Sequence, residues 1–557
     1  MKKITPFERF RRLLKLEKRE IGRVYSYAIF QGLVNLSIPL GIQAIVNLIQ
    51  GGKVSTSWIV LVVIVVSGVI LTGVLQLYQL RLIENLQQRI FANAAFEFTY
   101  RLPKFTAASL EHQSAPELMN RFFDVMSVQK GLSKVLIDFS AAVLQVFFGL
   151  LLLSFYHPFF IFFGFGLLLL LISIIRLTAR KGLDTSLRES KYKYKVASWL
   201  EDIASTRLSF KMVTKGKLHM EKSDQNISSY LDAREGHFNV LRLQYILLIV
   251  FKALVAAALL IIGGLLVLNQ QMNIGQFIAA EIIILLVINS VEKLILNAEN
   301  FYDVITALEK IGHVTDLDLD KSKNGTLIIE NSTKKGFEIQ IKDLDYTFPN
   351  SGKKVFNRLN LTIKSGARVC LTGGTGSGKS TLLGILAGIY DEYKGTIVYN
   401  GLPEGNYDTL DLRSKIGARF TTDNLFNGTV YDNIVMGRKG ISIQRLQEVT
   451  EALFLNEAIN KLRNGFESNI GHENIRLSKS IVQKLLLARS IIHDPDLLLI
   501  ENGLEYLDEA ERKAIVKYLI SPERRWTLVL TSVLDEVADV CDPGTDLEKC
   551  QINLSVK

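Results

Sequence analysis

Six stretches of this 557-residue chain are apolar and each is long enough, or nearly so, to cross a bilayer as a helix. They lie at residues 21–49, 57–82, 135–156, 158–175, 240–268 and 274–295. A hydrocarbon layer of about 30 Å needs roughly 20 residues of helix. It offers no partner to a bare peptide group, so helices are the form such stretches must take. The connections sort by charge. Residues 50–56, 156–158 and 269–273 are short and nearly uncharged, whereas 83–134 and 176–239 are long and charged. Charged connections stay inside, which places both chain ends in the cytoplasm and predicts helices continuing below the bilayer.

Composition fits that reading. The apolar fraction is 48%, and the formal net charge of +10 is concentrated in part in the Lys/Arg-rich residues 1–23. A cytoplasmic flank accounts for that charge better than nucleic acid does. Residues 6–20 suit either a basic amphipathic helix on the membrane face or an ordinary solvated helix. The start does not read as a cleavable signal peptide. Cys370, Cys541 and Cys550 form neither a disulfide framework nor a metal-ligand pattern.

Within the first span, Gln31, Asn35, Gln43 and Asn47 recur at four or eight residues, with Pro39 between them. They form either a hydrogen-bonded packing face or the wall of a polar path. Lys252 and Glu281 fall inside the fifth and sixth spans and are expected to face the bundle interior or water; whether they pair is open, and Lys252 has the length to snorkel.

The second half is organised around Gly373-Gly374-Thr375-Gly376-Ser377-Gly378-Lys379-Ser380-Thr381. Gly, any four residues, then Gly-Lys-Ser is the phosphate-loop pattern. Glycines let backbone N–H groups curl round phosphate, and the helix that follows turns its positive end toward the same anion. Lys379 reaches the outer phosphates, and the Ser380 hydroxyl is a Mg²⁺ ligand. The apolar run 367–371 reads as the strand before the loop, and Leu382, Leu383, Ile385, Leu386 and Ile389 as the helix after it. Strand-like alternation at 337–348 and 359–363 precedes it.

Six spans with long inner connections and then a phosphate-loop domain resemble a half-transporter of the ABC exporter family, most like bacterial type I secretion or peptide exporters. The resemblance implies an α-helical six-span transmembrane domain followed by an α/β P-loop NTPase domain. The boundaries are 1–20 for a cytoplasmic segment, 21–315 for the spans, 316–335 for a linker and 336–557 for the ATP-binding domain. It implies ATP and Mg²⁺ as ligands. It also implies pairing with a second half-transporter, identical or different, in the cell's inner membrane, with a periplasmic adaptor protein and membrane lipids as further partners and no nucleic acid. In the family, coupling helices carry motion to the spans; by position these are residues 115–121 and 199–205.

Residue by residue, the adenine-stacking aromatic falls at Phe348. The LSGGQ-type motif becomes Leu477-Ser478-Lys479-Ser480-Ile481, and Asp508 keeps the D-loop aspartate. The Walker B strand is Leu497-Leu498-Leu499-Ile500, followed by Glu501 and Asn502 where the family has Asp and Glu. Thr421 stands at the Q-loop glutamine and Val533 at the switch histidine. Glu501 keeps a carboxylate for Mg²⁺. Asn502 cannot accept a proton, and loss of a general base costs about 10²–10⁴-fold in rate. The reading is an exporter subunit that binds ATP and hydrolyses it poorly. The alternative is a regulatory or scaffold membrane protein in the exporter fold.

Overall fold

The computed structural model describes residues 4–50, 56–110, 115–213, 215–320, 336–349, 352–470, 477–532 and 541–547, with backbone alone at 115, 116 and 542–546. Val533, Cys550 and most of the expected linker lie outside the described residues. The chain divides into two compact units. One is Met1–Lys104 with Gln113–Leu317; the other is Phe105–His112 with Asp318–Lys557.

The first unit is helical. Six helical segments are long and apolar enough to span a membrane: Lys18–Gln50, Thr56–Lys104, Glu117–Ser154, Phe159–Ser205, Leu218–Leu268 and Ile274–Thr315. Each overlaps one stretch expected from the sequence, to within two residues at the ends facing the 156–158 turn, and most run far beyond it on the other side. The first is broken at Leu36, between helices Lys18–Asn35 and Ser37–Gln50. Pro39 explains the break, since it has no N–H for a carbonyl four residues back.

Two members of the polar stripe on that first segment, Asn35 and Gln43, bond to neighbouring helices, while the buried Gln31 Oε1 has no hydrogen-bond partner among the described residues. Asn35 Nδ2 donates to Gln145 Oε1 at 3.2 Å and Asn35 Oδ1 accepts from Thr72 Oγ1 at 3.1 Å. Tyr156 donates to Gln43 at 2.6 Å. Such bonds join neighbouring helices where no water competes. Lys252 pairs with Glu292 at 2.6 Å and not with Glu281, which is half-buried. Glycines set the closest helix approaches. A Cβ on Gly182 would lie 2.5 Å from the Tyr302 ring, and one on Gly131 would lie 2.4 Å from Val304.

Residues 115–120 form a short helix followed by a tight turn at Arg121–Phe123. Residues 199–205 are different. They complete the 47-residue helix Phe159–Ser205, and the separate short helix is the next one, Arg207–Met212.

The second unit holds two main sheets. An antiparallel one has the order β2–β1–β4–β5, from β1 (Ile339–Thr347), β2 (Lys354–Ile363), β4 (Lys394–Tyr399) and β5 (Leu402–Pro403). A parallel one has the order β11–β3–β10–β9–β6, from β3 (Arg368–Thr372), β6 (Ile416–Arg419), β9 (Leu497–Glu501), β10 (Thr527–Thr531) and β11 (Asp542–Asp546). Between them in sequence, β7 (Gly428–Thr429) and β8 (Asn469–Ile470) make a short pair. Central strands β9 and β10 are buried almost throughout, which is why they read as unbroken apolar runs. Phe105–His112 belongs to this unit through a bridge from Phe105 to Leu319 and a bond from Thr106 N to Asp318 O at 3.1 Å.

His493 lies just before β9 among Arg438, Arg445 and Lys415. Burial first, then Arg438, push its pKa from 6.5 down to about 4. The unfolded chain therefore takes up a proton that the folded one refuses, so this contribution is complete above pH 6.5 and is lost as pH falls toward 4. It amounts to roughly 3 kcal/mol at full extent. His493→Gln should flatten the pH dependence of this unit's calorimetric unfolding transition between pH 6.5 and 4; an unchanged slope would refute the assignment.

Candidate functional site

A parallel sheet gathers its functional groups at the carboxyl ends of its strands, where loops leave toward one edge. Four ends contribute here. β3 runs into the glycine-rich loop, β9 ends on Glu501, β6 on Arg419 and β10 on Thr531.

The loop after β3 needs glycine. Gly373, Gly376 and Gly378 have φ of 137°, 88° and 95°, a region L-side chains avoid. A Cβ on Gly378 would also lie 2.6 Å from the Phe356 ring, and one on Gly373 would lie 2.8 Å from Ser377 Oγ. The loop is thus a cradle that side chains would fill. The helix Lys379–Leu386 starts directly from it, with Ser380 and Thr381 in its first turn. Lys379 Nζ lies across the loop and donates to the carbonyls of Gly373 at 2.6 Å and Gly374 at 3.0 Å, and to Ser377 Oγ at 3.4 Å. Thr375 completes the loop. Phe348, half-buried at the end of the β1 segment, is fixed edge-on by Tyr346 and Tyr390, at 5.2 and 5.9 Å between ring centroids.

On β9, Glu501 Oε2 accepts from the backbone N–H of Thr421 at 3.0 Å. Thr421 thereby meets the Walker B carboxylate through its main chain. Asn502 follows at φ 42°, a left-handed conformation that asparagine tolerates better than most residues. Its backbone N–H donates to Thr531 O at 3.2 Å, and its side-chain oxygen accepts from Thr531 Oγ1 at 3.4 Å.

The LSGGQ-like stretch opens a helix. Ser478 is the N-cap of Lys479–Ile491, its Oγ accepting from Ile481 N at 3.3 Å. Ser480 sits in the first turn, and Leu477 packs against the core. Lys479 turns toward its own unit, its ammonium 5.3 Å from the centre of the Tyr506 ring. Asp508 is exposed at the N-cap position of Glu509–Ile520. A cavity of about 450 Å³ brings Thr421, Leu477, Lys479, Asn502 and Tyr506 onto one wall system.

Arg419 is the residue that sequence reasoning passed over. It ends β6 and is 2% exposed. Its Nη1 donates to the carbonyl oxygens of Glu501 and, at 2.6 Å, of Asn502; its Nη2 donates to Gln483 Oε1. One guanidinium so ties β6, the end of β9 and the helix behind the LSGGQ-like stretch. Burial holds its pKa below the usual arginine value. The available signal was a charged residue in an otherwise apolar strand pattern, Ile416-Gly417-Ala418-Arg419.

Comparisons with known proteins converge. A family model described as "ABC transporter transmembrane region" matches residues 26–291, and one described as "ABC transporter" matches 356–504. The ATP-dependent permease MDL1 of Candida albicans is 30% identical over 205 residues, 36% of this chain and 30% of that protein. The alpha-hemolysin translocation ATP-binding protein HlyB of Escherichia coli O157:H7 is 26% identical over 255 residues, 46% of this chain and 36% of that protein. The chain thus spans well under two thirds of the length of these curated relatives. A solved bacterial Atm1-family ABC exporter with ATP bound has the same fold, with a TM-score of 0.78 at 16% identity over 96% of this chain and 94% of the other.

Arg419→Met should destabilise the second unit by on the order of 3 kcal/mol, because it strips a buried charged donor from two partly buried carbonyls and from Gln483. Arg419→Lys should recover little, since an ammonium cannot reproduce the planar fork. Denaturant unfolding of the three proteins checks this; a fully stable lysine variant would contradict it.

Proposed function

The chain belongs to the ABC transporter family, and from that premise we propose that it is an exporter subunit that binds Mg-ATP, turns it over slowly and couples it to movement of a substrate across the inner membrane. The phosphate cradle carries the reading. Its glycines hold left-handed backbone that a side chain would strain, and Lys379 lies with its ammonium on the loop carbonyls, where an incoming phosphate oxygen competes for it. Gly374, Thr375 and Gly376 would approach the phosphates with their N–H groups, Ser380 and Glu501 would hold Mg²⁺, and Phe348 would stack on adenine. Bound Mg²⁺ would neutralise charge between the outer phosphates.

Slow turnover follows from three positions. Asn502 has no basic oxygen for a water proton, Thr421 offers Glu501 only its main chain, and Val533 cannot donate to the γ-phosphate. A flux assay in proteoliposomes separates transport from a purely regulatory or scaffolding role. Pairing with a second half-transporter is part of the proposal, as family members work in twos; the LSGGQ-like residues and Asp508 would then face the partner's nucleotide. A periplasmic adaptor is a further proposed partner.

Two measurements test these readings. Purified chain should bind a slowly hydrolysed ATP analogue and release little phosphate, and Lys379→Ala should abolish or greatly weaken binding. Asn502→Glu alone should restore little turnover. The three groups act together, and glutamate at φ 42° is strained by about 1 kcal/mol or more. Vigorous turnover by the chain alone, lost in Lys379→Ala, would show that another group serves as base. For topology, a single cysteine at Gln270 in a cysteine-free background should react with an impermeant thiol reagent from outside, and one at Arg207 should not; the reverse pattern would invert the proposed orientation.

A further inference from the structure

We propose that the membrane unit binds a small soluble polyanion, of the phosphate or pyrophosphate class, in a cytoplasmic cavity distinct from the phosphate loop. The cavity has a volume of about 790 Å³, and four separate segments of the first unit bring cations to its wall. Arg121 comes from the turn after the short helix, Lys191 and Lys195 from helix Phe159–Ser205, Lys222 from helix Leu218–Leu268, and Lys310 from helix Ala298–Thr315.

Five cations on one wall system repel each other unless something offsets them. Three carboxylates also line the space: Glu117, Asp202 and Glu309. Their attraction is partial: Glu309, with the nearby Asp124, draws on Lys310 without forming an ion pair with it. Among the described residues, none of the five cations has a carboxylate oxygen within ion-pair distance, whereas Glu309 is engaged by Arg9 at 3.4 Å and His313 at 3.8 Å. Lys310 is only 9% exposed, and Arg121 Nε is buried without a hydrogen-bond partner. Aromatic rings steady these groups without cancelling their charge: Arg121 and Lys310 stand 5.2 and 5.3 Å from the Tyr194 ring centre, and Lys222 stands 4.9 Å from that of Trp199. The rings are therefore already covered by cations, so the remaining recognition is electrostatic and favours a compact anion over a planar base.

Depth separates a soluble ligand from a lipid headgroup. The cationic residues lie about 14–20 residues along their chains from the ends of the apolar spans, roughly 21–30 Å at the helical rise. A headgroup layer extends only about 5–8 Å beyond the hydrocarbon. Phosphate offered here comes from solution.

The test uses the full chain carrying Lys379→Ala, in nanodiscs, titrated with inorganic pyrophosphate by calorimetry. Saturable binding is expected. The additional pair Lys191→Gln and Lys195→Gln, both exposed on a long helix, should weaken it at least about tenfold, leaving the ligand-free melting temperature unchanged. Phosphatidylcholine and phosphatidylglycerol discs should give equal affinity; weaker pyrophosphate binding in phosphatidylglycerol would mean that lipid fills the site and would overturn the soluble ligand. Absent binding, or equal affinity with and without the two lysines, would overturn the site itself.

Discussion

Hydrocarbon cannot hydrogen-bond a peptide group, and the first unit is organised by that constraint. Every span must satisfy its own backbone, so each is helical. Polar side chains inside the spans must find each other, so Asn35 meets Gln145 and Thr72, Gln43 meets Tyr156, and Lys252 meets Glu292. The same helices then leave the bilayer without stopping, because nothing in their sequences breaks them: Phe159–Ser205 and Leu218–Leu268 run for 47 and 51 residues. A span is about 20 of those residues. The remainder forms a charged scaffold in water, where Arg121, Lys222 and Lys310 are carried on separate segments without forming ion pairs among the described residues.

In the second unit the controlling constraint is a different one. Strand ends of a parallel sheet leave carbonyl oxygens pointing at one edge, and those carbonyls need donors or solvent. At β3 the donor is Lys379, whose ammonium any phosphate has to win from Gly373 and Gly374. At β9 the donor is Arg419, which holds the carbonyls of Glu501 and Asn502 from within the protein. The two ends therefore differ in character: the first is held by a half-buried cation at the open loop, the second by a buried one that also grips Gln483.

Much of this was legible in the residues. Span number came from apolar length, and β9 and β10 from unbroken apolar runs, because both signals report burial on every side. The phosphate loop was legible because its glycines serve backbone geometry that no other residue supplies. Three things were not. The break at Leu36 was hidden inside a continuous apolar stretch, with Pro39 its one sign. The tail 199–205 carries the same helical pattern as what precedes it, so its continuity with a 47-residue helix left no mark of its own. Arg419 was hidden for another reason. Its role consists of bonds to carbonyl oxygens of residues far along the chain, and main-chain acceptors have no letter in a sequence.

That last point bears on how the altered site is to be understood. Asn502 and Thr421 differ from the letters that the family resemblance leads one to expect at those positions. Arg419, through Nη1, and Thr531 hold Asn502 in hydrogen bonds from two neighbouring strands. A residue left behind by lost function would be expected to sit unpartnered or exposed. Asn502 instead occupies a left-handed position that suits asparagine, with both its N–H and its side-chain oxygen engaged by Thr531. Restoring a family-like glutamate there would disturb that geometry before it supplied a base. The ends of β9 and β10 are thus packed around asparagine at 502, and any other side chain there must be accommodated in a left-handed backbone beside Thr531.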